Sequence, residues 1–536
     1  MTQALTPGDF GGQRPAAAPT FVDRRPGHLV LASLCFLWLA ATAWARPLAL
    51  PDEGRYVGVA WEMMNSGDWL TPTLNGLPFF HKPPLFYWIT AASMSLFGQN
   101  EWAARAAPML GAWLGVFSLY LFMRRWCGER PATLTLVVLL VQPLVYIGGQ
   151  FANLDMLVAG CITATTLLLA HAALCAERGL PFRRALAGAY AMAALGVLAK
   201  GLIGVVTPAL VIVPWLLMLR RWRTFRSLLW WPGMLLFLLI AAPWFMMMQA
   251  RFADFLNYFF VVQHFKRFAG SGFNNVQPVW YYPAVLALFS LPWLPWLIRS
   301  IRRDGFLEGE RGSVRLLMGL WVLMTLLFFS LPKSKLLGYI LPAVPPLAFL
   351  IVDGYLARGE PTPFAKRLWW GSAALMALTS VVAVLVFTLH PPRSTRELAG
   401  VLRTQRAAQE PVFMLNAYLY DLRFYAGVRA PVAVVDEWAS PEVQANDNWR
   451  KELADAGRFA PARAAKLLRT PAELPAALCS SSVSWVIGTS ADLATHPFLT
   501  QAEVAYAGPR TMLWKLDLAR PTLSASLACA GPASSP

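Results

Sequence analysis

The feature that most constrains this chain is a series of apolar runs, each long enough to cross about 30 Å of hydrocarbon. They lie near 29–45, 102–123, 131–149, 155–176, 185–199, 201–219, 227–248, 279–298, 316–331, 336–357 and 368–389. Of the 536 residues, 57% are hydrophobic and only 14% are charged. A soluble domain carries about 25% charged residues, so neither a single soluble domain nor a disordered chain fits. The reading is a polytopic, mainly α membrane protein with about eleven transmembrane helices. Its net charge of +17 comes from 46 Lys+Arg against 29 Asp+Glu. In this setting the excess anchors loops on the cytoplasmic side and does not point to nucleic acid.

Cations in the connections set the orientation. Arg24 and Arg25, Arg124 and Arg125, Arg183 and Arg184, Arg220 to Arg226, Arg299 to Arg311 and Arg358 to Arg367 all fall on one side, the cytoplasm. The outer side receives 46–101, 150–154, 199–201, 249–278, 332–335 and everything after 390. Counting 82–97 as a span would invert every later loop. It is therefore read as a juxtamembrane helix, with Phe86, Tyr87 and Trp88 at the interface. A rival reading makes the first apolar run a signal peptide cleaved near Ala43-Trp44-Ala45.

Three parts follow: a cytoplasmic tail 1–28, a membrane domain 29–390 with its first outer loop 46–101, and an outer soluble domain 391–536. The last has spread charge and short β-like runs at 431–435, 483–488 and 511–517, alternating with helical stretches at 395–409 and 441–456. It reads as a small C-terminal α/β domain. Cys479 and Cys529 both lie in it, either as a disulfide or as two buried thiols.

Short outer loops should hold few cations, yet Arg55, Lys82, Lys200, Lys333 and Lys335 all lie there, beside membrane ends. Each alone fits snorkelling. Together they point to an anionic headgroup, phosphate above all. Carboxylates share that level: Asp52 and Glu53 after the first span, and Asp155 at the start of the fourth. Asp155 also fits a helix N-cap. Asp52 opens a stretch with Tyr56, Val59, Ala60 and Met63 at helical spacing, an amphipathic helix on the membrane surface. Carboxylates beside cations suit chemistry in which a phosphate departs. His81 and His264 both fall on the outer face, either as a pair for a metal or proton transfer or as independent polar residues. Two other classes make different demands on a sequence. A transporter or flippase of a lipid-linked anion would place charges near the midplane in paired broken spans. A non-catalytic envelope scaffold would not need Asp52, Arg55 and Lys82 together.

The ordered motifs PDEGRY, SGDWLTPTLNGLPFFHKPPLFYW, LD, LAKG, QHFKRF with PVWYYP, and LPKSKLLGYILPAVPP run from Pro51 to Pro346. This set resembles the bacterial GT-C glycosyltransferases of the aminoarabinose transferase type, relatives of the protein O-mannosyltransferases. The resemblance implies an inverting enzyme of the inner membrane, with its site and C-terminal domain facing the periplasm. Its donor is a sugar on undecaprenyl (polyprenyl) monophosphate. Its acceptor is lipid A, another glycolipid or, as in the mannosyltransferases, a protein hydroxyl. It implies Asp52 and Asp155 as reaction-centre carboxylates, and Arg55, Lys82 and Tyr339 as donor-phosphate ligands. Lys200, Lys333 and Lys335 become further cavity cations. No cofactor is required by such a mechanism. The family commonly has Glu before the KPP lysine, where this chain has His81. A divalent-metal contact with His264 then becomes a His–His pair or is lost.

Overall fold

The computed structural model describes residues 26–266, 275–302, 309–391, 393–445 and 447–529. Among these, six helices are long and apolar enough to cross a bilayer: Ala106–Trp126, Leu154–Glu177, Trp231–Arg251, Gly312–Ser330, Leu337–Leu356 and Pro363–Leu389. A seventh crossing is made by Tyr281–Phe289 and Leu291–Ile301 if that pair, bent by 77°, is one span. The bend falls at a Leu291–Trp293 3₁₀ turn containing Pro292. Proline there removes a helical hydrogen bond and kinks the chain. The other four expected runs are also helical but shorter, interrupted or more charged: Pro26–Ala40, Glu129–Val141 with Pro143–Gly148, Arg183–Lys200 and Ile203–Met218. The many-helix membrane architecture stands, while the count of eleven is not confirmed: among the described residues six spans, or seven with the bent pair, meet length and composition.

The first outer loop is built on two helices, Asp52–Ser66 and Leu85–Phe97, joined by a two-stranded hairpin of β1 (Thr73–Leu74) and β2 (Leu77–Pro78). Leu85–Phe97, at 13 residues, is too short to span and packs on Asp52–Ser66. The sequence places Asp52–Ser66 on a membrane surface. Instead, nearly every side chain from Glu53 to Met63 is buried, and the helix is sandwiched between the bundle and the C-terminal domain. Two glycines explain the close approach. A Cβ on Gly54 would come within 3.1 Å of the Asp421 nitrogen, and one on Gly58 within 3.1 Å of the Tyr420 oxygen. They are four apart and so share one helix face.

The C-terminal domain carries a six-stranded sheet: β3 (Val412–Leu415), β4 (Ala433–Val435), β5 (Leu468–Arg469), β6 (Val483–Gly488), β7 (Glu503–Ala507) and β8 (Met512–Asp517). Its order is β5-β4-β3-β6-β8-β7. The first four strands are parallel, and β8 and β7 continue the sheet antiparallel. Parallel pairing requires crossovers, which the interleaved helices supply. Cys479 and Cys529 form a disulfide with their Cα atoms 5.5 Å apart, closing the alternative left open above.

One hydrophobic core joins this domain to the first loop. Val57, Trp61 and Phe86 pack in the same cluster as Met414, Tyr420, Leu453 and Trp485. Polar ties add direction. Asn75, at φ 53° in the hairpin turn, exchanges two 2.9 Å hydrogen bonds with the Val432 backbone. Arg423 pairs with buried Glu62, whose carboxylate also accepts from Asn75 N and Gly76 N.

Candidate active site

The site is assembled from helix ends. The Asp52–Ser66 helix starts after Pro51 and presents Asp52 and Arg55 from its first turn, three residues apart and on one face. Pro84 precedes the Leu85–Phe97 helix, so His81 and Lys82 lie in the turn leading into it. Asp155 is the second residue of Leu154–Glu177, and Lys200 is the last residue of Arg183–Lys200. A carboxylate near a helix start and an ammonium at a helix end both complement the helix dipole. Tyr339 comes from the 3₁₀ helix Leu337–Ala343.

These side chains line one cavity of about 80 Å³: Asp52, Arg55, His81, Lys82, Asp155, Lys200 and Tyr339 are all in its wall. Lys200 forms an ion pair with Asp155, and its Nζ lies 4.2 Å from the centre of the Tyr339 ring. That is a cation–π contact, so one ammonium ties Asp155 to Tyr339. Asp155 does not cap its helix, as its position in the sequence allowed. The cap is Asn153, whose Oδ1 accepts from the Asp155 backbone nitrogen at 3.0 Å. This leaves the Asp155 carboxylate to the cavity, where Asn153 Nδ2 donates to Oδ2 at 3.2 Å. The backbone of Gly338 presses on the same carboxylate, and a Cβ there would overlap it.

Arg55 forks between two carboxylates, Asp52 on its own helix and Glu452 on the Trp449–Arg458 helix of the C-terminal domain. Its side chain is 19% exposed and that of Asp52 is 44% exposed. Burial pushes the guanidinium toward neutrality, but Glu452 overcomes this and holds it firmly charged. The second oxygen of Glu452 accepts a 2.6 Å hydrogen bond from Tyr420 Oη.

Glu452 is the charged residue of the cavity wall that the sequence does not reveal. It sits in an ordinary charged, amphipathic helix with no apolar surroundings to mark it as anomalous. The available signal is indirect: Gly54 and Gly58 imply that something packs against the Arg55 helix.

Two expected cavity cations do not line this cavity. Lys335 is buried, and its Nζ donates to the carbonyls of Gln277 at 2.9 Å and Pro332 at 2.6 Å. It fastens the 333–335 segment to 275–277, where Lys335 N also donates to Asn275 O at 3.0 Å. Lys333 is exposed, and its carbonyl accepts from Gln277 N. Their cationic heads are thus explained by a backbone clasp and by solvent.

A metal at His81 and His264, one of the readings the sequence left open, is not supported. Among the described residues no group of three or more His, Cys, Asp or Glu side chains could hold a metal ion. His81 stacks on Phe79 with ring centres 4.4 Å apart, and the side chain of His264 lies outside the described residues. Glu53, the carboxylate next to Asp52, is structural. It is fully buried and takes hydrogen bonds from Arg105 Nε (2.9 Å), Arg46 Nη2 (3.2 Å), Ala49 N (2.8 Å) and Ala152 N (2.8 Å).

Comparison with known proteins gives three results. A family model described as dolichyl-phosphate-mannose-protein mannosyltransferase matches residues 81–247. An undecaprenyl phosphate-alpha-4-amino-4-deoxy-L-arabinose arabinosyl transferase of Shewanella sediminis (strain HAW-EB3) is 35% identical over 346 residues, 64% of this chain and 62% of that protein. The protein of the same description from Edwardsiella ictaluri (strain 93-146) is 33% identical over 398 residues, 70% of this chain and 69% of that one. The matched region thus spans under two thirds of the first relative's length and just over two thirds of the second's. Among solved structures, the crystal structure of ArnT from Cupriavidus metallidurans bound to undecaprenyl phosphate superimposes with a TM-score of 0.77 at 25% identity. That superposition covers 94% of this chain and 99% of the other.

Proposed function

The chain belongs to the undecaprenyl phosphate-aminoarabinose arabinosyl transferase family, and we propose that it is an inverting glycosyltransferase using a sugar on undecaprenyl monophosphate. The donor sugar is aminoarabinose and the acceptor a phosphate of lipid A, presented at the periplasmic face of the inner membrane. Domains follow the same reading: a cytoplasmic tail 1–28, a catalytic membrane domain 29–390 and a periplasmic domain 391–536. The Cys479–Cys529 disulfide supports an oxidising compartment for the last. The observation that carries the proposal is the convergence of Asp52, Arg55, Lys82, Asp155, Lys200 and Tyr339 on one cavity.

In the proposed mechanism Arg55, Lys82 and Tyr339 hold the donor phosphate by charge-assisted hydrogen bonds. The acceptor attacks the anomeric carbon from the face opposite the C–O bond to phosphate. That bond breaks, its electron pair stays on the phosphate, and the configuration inverts. A phosphate acceptor is already anionic, so Asp52 and Asp155 orient it and the sugar without having to remove a proton. Charge builds on the departing phosphate, and stabilising it there by fixed cations accounts for most of the acceleration.

The test uses purified full-length protein in lipid with radiolabelled undecaprenyl-phosphate sugars, reading release of undecaprenyl phosphate. Aminoarabinose donor with lipid A should turn over. Lys82→Ala and Arg55→Ala should each lower the rate by about 10²–10³, the loss typical of one transition-state charge contact. Near-normal rates in both variants, with the fold intact by thermal melting, would remove the assignment.

A further inference from the structure

We propose that Glu452 is a positioning residue for the donor: it occupies Arg55 while the site is empty, and the incoming lipid phosphate displaces it. This rests on the reading of Arg55 as a phosphate ligand. The first support is charge. Among the described residues the cavity wall carries Arg55, Lys82 and Lys200 against Asp52, Asp155 and Glu452. Three cations face three carboxylates, so the empty site is balanced. An anionic headgroup entering it needs a cation released from a carboxylate, because uncompensated buried charge is costly.

The three carboxylates differ in how far they can yield. Asp155 is held by Lys200, Asn153 and the close backbone of Gly338. Asp52 shares a helix with Arg55 and stays beside it whatever binds. Glu452 comes from another domain, and its link to Arg55 is one ion pair. It also has a second partner. Tyr420 Oη donates to its other oxygen at 2.6 Å and can keep it when Arg55 turns away. Arg55 in turn has a donor to spare: its Nε is buried and has no hydrogen-bond partner. A phosphate offers more acceptor oxygens than a carboxylate and suits the planar guanidinium fork.

The arrangement makes donor binding a competition at Arg55. Glu452 keeps the guanidinium charged, folded inward and aimed at the cavity, at the cost of donor affinity. Donor occupancy also frees one contact between the membrane domain and the Trp449–Arg458 helix, so the C-terminal domain registers whether the site is loaded.

The sign of the effect is the test. Undecaprenyl phosphate binding is measured on the full chain in lipid nanodiscs for wild type, Glu452→Gln and Arg55→Ala. Gln keeps the shape and can still accept from Tyr420 but carries no charge. The expectation is binding tightened about tenfold in Glu452→Gln, equivalent to about 1.4 kcal/mol, and weakened in Arg55→Ala. Unchanged or weaker binding in Glu452→Gln, with Arg55→Ala weakened, overturns the inference and leaves the donor-site reading standing. Unchanged binding in Arg55→Ala removes that reading and this inference with it. If Glu452→Gln melts far below wild type, hydrogen exchange on wild type decides. Saturating lipid should raise exchange within 449–458, and unchanged exchange there overturns the proposal.

Discussion

Gly338 shows how finely single residues set this site. Its backbone lies so close to the Asp155 carboxylate that a methyl group would overlap it, and the same residue precedes Tyr339. Gly338→Ala should shift Asp155, Lys200 and Tyr339 together. Misplacing reacting groups by about 1 Å costs on the order of 10²-fold in rate. Turnover should fall by that factor, and the added loss should shrink in an Asp155→Asn background, where the two changes act on one contact. Equal losses in both backgrounds would separate Gly338 from Asp155. Legibility in the sequence follows the same physics. Asp52, Arg55, Lys82, Asp155 and Lys200 stand out because a charge at a hydrocarbon boundary is costly and needs a reason. Lys333 and Lys335 carry the same signal, yet backbone carbonyls and solvent satisfy them. A sequence reports the anomaly but not which partner resolves it.

At the scale of elements, the Asp52–Ser66 helix depends on Glu53. Burial pushes this carboxyl up, but Arg105 and Arg46 prevail and hold it at about 2, below its usual 4.5. A group with a depressed folded pKa stabilises above its unfolded pKa and loses that contribution as pH falls through the folded one. Stability should therefore decline between pH 4.5 and about 2. Glu53→Ala leaves two buried guanidiniums without their carboxylate and should cost about 3–5 kcal/mol. Melting against pH checks both: the variant should start lower and lack the Glu53 share of the acid slope. The helix itself is readable from its periodicity, but its environment is not, since a polar face looks the same against headgroups or another domain. Strands divide likewise. The runs 431–435, 483–488 and 511–517 announce β4, β6 and β8. β3 is four fully buried residues and β5 only two, too short to show a period.

For the whole molecule, the bundle and the C-terminal domain form one object around the first loop, joined by the shared core, the Asn75–Val432 exchange and the Glu62–Arg423 pair. The proposed orientation puts that domain outside. A protease added to intact spheroplasts should then cut a tag at the C-terminus and spare one at the N-terminus. The reverse pattern would invert every loop. The sequence announces the two parts through their change in composition but not how they dock, because the docking contacts, among them Glu62–Arg423, Arg55–Glu452 and Asn75–Val432, join residues hundreds of positions apart.

The Arg55–Glu452 pair joins residues 397 apart in the chain. All the helices that read as spans, and every cation of the cavity, are synthesised before Glu452. During biogenesis the membrane portion can therefore insert and take up lipid around it while its cavity still lacks a wall. The site is completed only when the last quarter of the polypeptide has been translated and has folded back onto the first. Nascent and truncated chains are thus denied a finished centre by the order of synthesis itself.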